Sequence, residues 1–525
     1  MLNLATIFTD HMVLQANKPI KIFGEGEGSA KIEFLGNAYE VYGTGGKWCV
    51  SAPAMPYGGP YEMSFESEGA KTVIRDIYIG EVWFASGQSN MEMPLFRVDG
   101  GLMEAKHAEN NLIRFFRVPK QFKKGLVTRG SHFFPTVDED TPWLLCNEES
   151  ALYTSAVGYI AVKEIQEKLG CAVGLIECHW GARRVEPFID KKYFYDYDFL
   201  RPQIEEYNEM LASLDREAYE ERIAEHVKIR EREVAKSLDA LQVVKDRGVC
   251  AAVWVPDQYV CIPELPLGPY SLDAPGTLFD SMVSKVVPYG MQGVLWYQGE
   301  SNNTKDYAKK FLVFMKCMRE SFENGELSFY AVELAPFEFN GIDDEFVTEP
   351  NNWAFRREQQ MLVTKVDKRS HLATTQHIGD EYDIHPMRKI ELGHRMALKM
   401  LKHSYGFDII GDQPVYKSAE FGEHRATITL DNAQGLYSRY MWAVKMYVAD
   451  SEGNMERADV EITDDGRIIL TCKMKNPACV RFAFHSHYNG RAPFNVAGLP
   501  LSPFRTDGYD ELLCELENFV KNELN

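Results

Sequence analysis

The rhythm of hydrophobic and polar positions changes as the chain proceeds. Up to about residue 78, β-forming stretches at Pro19–Phe23, Lys31–Phe34 and Val73–Tyr78 are separated by turn residues at Gly24-Glu25-Gly26, Gly45-Gly46 and Tyr57-Gly58-Gly59-Pro60. Short strands spaced this way predict a small β-sandwich over 1–78. Beyond it, apolar runs recur at Glu81–Ala85, Val173–Cys178, Val294–Tyr297, Phe329–Leu334 and Leu372–Thr375, with helical stretches at 152–169, 304–322, 353–366 and 387–404. Strands alternating with helices predict an α/β domain over 79–412 with a largely parallel sheet, whose ligands sit at the carboxyl edge. From 413 to 485 β-like segments return (Ala426–Leu430, Met441–Val448, Arg467–Met474, Ala478–Phe484), and 509–523 reads as an amphipathic helix. This predicts a C-terminal β domain over 413–525 that ends in a helix.

One stretch breaks the alternation. Residues 203–247 hold no Gly or Pro and are dense in Glu, Lys, Arg, Ala and Leu. They predict a long helix or helical hairpin inserted at about 190–250. Its apolar positions keep no clean heptad, so packing on its own domain is favoured over a coiled-coil partner site.

Composition narrows the class. The 525 residues carry a net charge of −20 and a pI near 5.2, without the concentrated basic face that duplex nucleic acid requires. No run of about 20 apolar residues is present to span a bilayer. The opening MLNLATIFTDHMVLQ lacks the basic stretch and unbroken apolar core of a secretory signal, so a cytoplasmic location is expected. Ten cysteines without a CxxC pair are expected to be free, mostly buried thiols.

Four polar loops follow apolar strands. Ser89, in Ser86-Gly87-Gln88-Ser89-Asn90-Met91, stands at a strand-to-helix turn, where a serine serves either as a nucleophile or as a helix cap. Asp383 and His385, in Asp380-Glu381-Tyr382-Asp383-Ile384-His385-Pro386, are close enough to act as acid and base, or are ordinary surface residues. Trp296-Tyr297-Gln298-Gly299-Glu300-Ser301-Asn302 offers side-chain amides to a developing oxyanion, and His179-Trp180-Gly181-Ala182 offers backbone N–H groups. Each is weak alone; four such loops after four strands describe a site. His485-Ser486-His487 has the spacing of some metal sites on a strand, but no acid or Cys partner follows, and no metal is expected. His394 and Arg395 read as structural. Tyr193, Phe194, Tyr195, Tyr197 and Phe199 either wall a sugar site or pack the core.

Taken together, GQSNM after a strand, WYQGESN and DIHP before a helix resemble the SGNH (GDSL-like) hydrolase superfamily, and most closely its sialate O-acetylesterase-like carbohydrate esterases. IFTDHMVLQ, GGPYEM, IGEVWFASGQSNMEMP, PGTLFDSMVSKVVPYGMQGVLWYQGESN and NVAGLPLSPFRTD extend the resemblance over nearly the whole chain. It implies a three-layer α/β/α domain flanked by the two β domains, hydrolysing O-acetyl esters on sugars without a cofactor. Ser89 would be nucleophile, His385 base and Asp383 acid, with Asp380 in reserve because Tyr382 occupies the family's usual acid position. The oxyanion hole would comprise the Ser89 and Gly181 N–H groups and Gln298, which is preferred over Asn302. Glu300 and Trp296 are candidate substrate contacts, Glu300 more naturally in a supporting place. Where the family usually reads WGGTPIEAW this chain has Arg183 and Arg184, two cations that would suit a carboxylate-bearing sugar unless both pair with structural acids. An acetylated sugar is the expected partner, either sialic acid or a xylan- or xyloglucan-type oligosaccharide. A non-catalytic carbohydrate-binding protein is the competing class.

Overall fold

Residues 1–120, 141–229, 232, 267–302, 306–338, 353–488 and 490–524 are described by a computed structural model. They fall into two units, Met1–Gln298 with Val313–Leu327, and Gly299–Leu312 with Ser328–Asn525.

The first unit opens with β1 (Leu2–Leu4), β2 (Val13–Gln15), β3 (Ile20–Phe34), β4 (Asn37–Ala52), β5 (Gly58–Ser67) and β6 (Ala70–Gly87). β3 pairs antiparallel with β1, β4 and β5, and β5 pairs antiparallel with β6. The glycines at 24–26 and 45–46 therefore lie inside strands and not in turns. A side chain at Gly24 would meet the Asn3 carbonyl at 1.9 Å, so glycine here permits β1 to lie against β3.

β6 runs unbroken through residue 78 and changes character along its length. Its first half alternates between exposed and buried positions; from Gly80 every residue is buried. Continuous burial is what a central parallel strand requires, because both its faces are covered. The second half pairs in parallel with β9 (Val173–His179) and β10 (Gly293–Tyr297), and β9 with β7 (Asn110–Arg117). Short β8 (Leu144–Cys146) runs antiparallel to β7. β6, β9 and β10 thus deliver their carboxyl ends, with the loops that follow them, to one sheet edge.

The inserted segment begins as two helices, Arg201–Ser213 and 216–229. Tyr219 and Ile223 are buried against Leu214, Val227 and Tyr270, which gives it a small core of its own. The rest of the stretch expected to be helical lies outside the described residues.

In the second unit β11 (Ser328–Val332) and β12 (Ser370–Ala373) pair in parallel. Helices Trp353–Val366 and Lys389–Tyr405 follow the expected positions closely. A seven-stranded antiparallel sheet comprises β13 (Val415–Gly422), β14 (Arg425–Asp431), β15 (Met446–Ala449), β16 (Met455–Ile462), β17 (Ile468–Thr471), β18 (Cys479–Phe482) and β19 (Phe504–Arg505), ordered β13-β14-β17-β16-β15-β18-β19. Its core gathers Ile428, Val448, Leu470, Val480 and Phe482. The terminal helix Tyr509–Phe519 is as expected.

Cys49, Cys146, Cys171, Cys178, Cys317, Cys472, Cys479 and Cys514 are free thiols; Cys250 and Cys261 lie outside the described residues. Among the described residues, no helix is long and apolar enough to cross a membrane.

Candidate active site

The serine turn is built by backbone geometry. Gly87 closes β6 at φ +133°, and a Cβ there would lie 2.1 Å from the Tyr297 carbonyl, so only glycine lets β6 approach β10 so closely. The chain then enters a one-turn helix, Ser89–Glu92, with Gln88 in the N-cap position and no side-chain capping bond. Ser89 is the first helical residue, so the capping role does not fall to it. With four residues the helix has almost no macrodipole to lend the serine. The Met91 and Glu92 N–H groups both donate to the Gln88 carbonyl.

Around this turn a buried polar group forms that the sequence did not reveal. Glu92 is fully buried; its Oε1 accepts from Lys120 Nζ at 2.5 Å and its Oε2 from the Gly181 N–H at 2.7 Å. Lys120 also lies 5.4 Å from the centre of the buried Trp180 ring. The Gly181 N–H, expected to face a substrate oxygen, is therefore donated to a protein carboxylate. Gln298 is likewise engaged: its amide nitrogen donates to Gln88 Oε1 at 3.3 Å and to the Arg183 carbonyl at 3.1 Å. Gln298 thus ties the 181–184 loop to the serine turn.

The next residue, Ala182, adopts φ +57°, a left-handed conformation that costs a non-glycine residue about 1–2 kcal/mol. It stands where the family pattern has the second glycine of WGG, so the loop keeps its shape at the cost of strain.

The two arginines separate. Arg183 is buried, its Nη1 2.6 Å from Asp273 Oδ2 and its Nε 3.2 Å from the Gly181 carbonyl. It braces the loop and is not a free cation at a mouth. Arg184 is only partly buried and has no ion pair among the described residues. Trp296 is also reassigned: it is fully buried, with its ring centre 5.5 Å from Phe188 and 4.3 Å from Phe314, and it packs the core behind β10. Alternation along a strand end cannot distinguish these two surroundings in advance.

Below the same edge, Glu177 Oε1 accepts from the Ser155 N–H at 2.7 Å and lies 3.4 Å from His179 Nε2, while Oε2 accepts from Arg117. Burial raises the carboxyl's pKa, but Arg117, His179 and the Ser155 N–H outweigh it and hold it down to about 2.

In the second unit the 380–385 loop folds on its own aspartates. Asp380 Oδ1 accepts from the Tyr382 and Asp383 N–H groups at 2.8 and 3.1 Å, which makes it the builder of the turn. Asp383 Oδ1 accepts from the His385 N–H at 2.8 Å and lies 3.8 Å from His385 Nδ1. Of the two acids, Asp383 is the one placed at the imidazole. Glu300 and Asn302 are buried, and their carbonyls accept from Arg356 Nη1 on the 353–366 helix. His485 and His487 lie past the end of β18 in a bend, so the strand-face spacing considered for a metal does not exist. Arg395 donates to the Thr374 and Gln376 carbonyls, the structural role expected of it.

Lys389, four residues beyond His385, is fully buried. Burial pulls its ammonium down to about 7, against the opposing charges of Glu300 and Asp383. A lysine whose pKa falls on folding destabilises the fold while charged, and that cost fades as pH rises from about 7 toward its ordinary value. Lys389→Met is therefore expected to gain stability relative to wild type at pH 7 and to lose that advantage by pH 10. Urea unfolding across that range tests it, and an unchanging difference contradicts the assignment.

Sequence reasoning missed Glu92, Lys120, Asp273, Arg356 and Lys389. Only Glu92 left a trace, as a lone acid inside the apolar run Met91-Glu92-Met93-Pro94-Leu95.

Comparison with known proteins gives a consistent picture. A family model described as carbohydrate esterase, sialic acid-specific acetylesterase, matches residues 269–402. Sialate O-acetylesterases of Pongo abelii and Homo sapiens are 24% and 23% identical over 296 residues, 53% of this chain. The match covers 43% of those proteins, so the chain spans less than half their length. The crystal structure of a carbohydrate acetylesterase from Xanthomonas citri superposes with a TM-score of 0.73 at 25% identity, over 97% of this chain and 100% of that one. By family model, sequence and fold together, the chain is similar to the sialate O-acetylesterase-like carbohydrate esterases.

Proposed function

We propose that the chain is a serine esterase that removes acetyl groups from carbohydrate hydroxyls, on a three-layer SGNH-type domain flanked by β domains. The observation that carries this reading is Ser89 itself, set by the close β6–β10 approach as the first residue of a one-turn helix whose N-cap position is Gln88. In the proposed mechanism Ser89 Oγ attacks the acetyl carbonyl while His385 takes its proton. Asp383 orients the imidazole and stabilises its charged form. The Ser89 N–H stabilises the oxyanion, joined by the Gln298 amide once it exchanges its 3.3 Å hydrogen bond to Gln88 for the substrate oxygen while keeping the one to the Arg183 carbonyl. Asn302 is the alternative side-chain donor, and Gly181, held by Glu92, acts as a loop anchor. The intermediate collapses with protonation of the sugar oxygen by His385, which releases the deacetylated sugar. His385 then activates water, and the acetyl-serine ester is cleaved to acetate and free Ser89. No step calls for a cofactor.

Acetate release from acetylated sialic acids and acetylated xylo-oligosaccharides, with fluorophosphonate labelling mapped to Ser89, tests the reading. A protein that neither releases acetate nor takes the label is a sugar binder. Arg184 decides between the substrates. If it meets a substrate carboxylate, Arg184→Ala raises KM about 3- to 5-fold for an acetylated sialic acid and leaves a neutral acetylated xylo-oligosaccharide unchanged. Equal effects on both substrates remove the carboxylate reading and favour the neutral one.

A further inference from the structure

The aromatic run 193–199 does not act as a block. Tyr193, Phe194 and Tyr197 are buried and serve the core, whereas Tyr195 is 49% exposed. It opens onto a cleft of about 460 Å³ formed where the Lys192–Asp196 and Arg201–Ser213 helices meet the 216–229 helix and the chain at Pro269-Tyr270. Four tyrosines line it, Tyr195, Tyr207, Tyr219 and Tyr270, with Asn208 and Glu220 among the polar groups.

The walls are fixed by their own hydrogen bonds. The Asn208 amide donates to Tyr195 Oη at 3.0 Å, Tyr207 Oη donates to the Gly268 carbonyl at 3.3 Å, and Tyr270 Oη donates to Glu220 at 2.8 Å. Tyr219 Oη accepts the Tyr270 N–H at 3.1 Å, and the two rings stack with centres 5.8 Å apart. Rings held in place present binding faces without further loss of side-chain freedom. The volume lies within the usual range of about 300–1,000 Å³ for small-ligand sites. The polar rim mixes an amide, the Glu220 carboxylate and the Arg216 guanidinium, while Lys191 pairs with Asp280 at 2.6 Å. Acceptors and donors interleaved with no excess of one charge suit hydroxyl groups, each of which both donates and accepts, better than an anion.

We propose that this cleft holds a neutral pyranose unit of the oligosaccharide, stacked on Tyr195, as a binding site in addition to the Ser89 loops. It rests on the carbohydrate reading above and gives the inserted helices a role in holding the sugar chain. Calorimetric titration of the full chain with unacetylated xylohexaose and cellohexaose tests binding without any need for turnover. At least one hexasaccharide is expected to bind. Tyr195→Ala should weaken it about 3- to 10-fold and raise KM for an acetylated oligosaccharide similarly, with no change on a small acetyl ester. Tyr195→Phe, which keeps the ring, should stay within about 2-fold, and Tyr42→Ala, another exposed tyrosine, should change nothing. Absence of binding by either sugar up to about 10 mM, or wild-type binding by Tyr195→Ala, overturns the proposal. Sugar binding that depends on Tyr195 in a chain releasing no acetate would sink the esterase reading and leave the cleft standing.

Discussion

Ser89→Ala is expected to lower kcat/KM for acetate release by roughly ten-thousand- to million-fold, the loss seen when a nucleophile that works as a unit with its base is removed. The fold should tolerate the change. Ser89 is the first residue of a one-turn helix whose N-cap position is Gln88, and alanine is the best helix former. Thermal unfolding within a few degrees of wild type would therefore separate lost chemistry from lost structure. The acid is distinguished in the same assay. Asp383→Asn should cost two to four orders of magnitude in kcat, because it removes the carboxylate placed 3.8 Å from His385 Nδ1. Asp380→Asn keeps an oxygen able to accept the two loop N–H groups and should cost far less. Retention of more than a few per cent of turnover by Ser89→Ala would overturn the nucleophile assignment, and a larger loss at Asp380 would reverse the order of the acids.

What the sequence disclosed follows from the physics of burial. β9 and β10 are apolar runs because both faces are covered, and such runs are visible without knowing what covers them. The β13 and β16 strands escaped notice because most of their residues are exposed or half-exposed and carry little apolar signal. Met441–Val448 was legible as apolar but not as divided, since Met441–Ala443 is a 3-10 turn leading into β15. Glycines at 24–26 gave a false turn because close approach of two backbones and reversal of one backbone ask for the same residue. The candidate site divides along the same line. Ser89, at a strand-to-helix turn, and Asp383 and His385, in one loop, were legible as candidates from residue type alone. The fates of Arg183, Trp296 and Gly181 depend on partners far along the chain, and nothing local encodes those. Asp273 stands 90 positions from Arg183, and Glu92 stands 89 positions from Gly181.

That dependence makes Glu92 the residue with the largest expected effect on stability. Removing its side chain strands the Lys120 ammonium, itself almost wholly buried, and leaves the Gly181 N–H without its acceptor. Breaking one half of a buried ion pair typically costs about 3–5 kcal/mol, because the remaining charge stays in a low-dielectric site uncompensated. Glu92→Ala is expected to cost that much in urea unfolding. Lys120→Met should be milder, since the Glu92 carboxylate keeps the Gly181 N–H and the methionine refills the space beside Trp180. The double variant carries no stranded ammonium and should recover at least about 2 kcal/mol relative to the sum of the singles. The same variants report on catalysis through the loop. If Glu92 holds the 181–184 segment against the serine turn, Glu92→Gln, which can still accept from Gly181, should keep most of kcat, and Glu92→Ala should lose it even in buffers where the protein remains folded. Additive single effects of under about 1 kcal/mol would show that the pair is incidental, and the loop would then be held by Arg183–Asp273 and Gln298 alone.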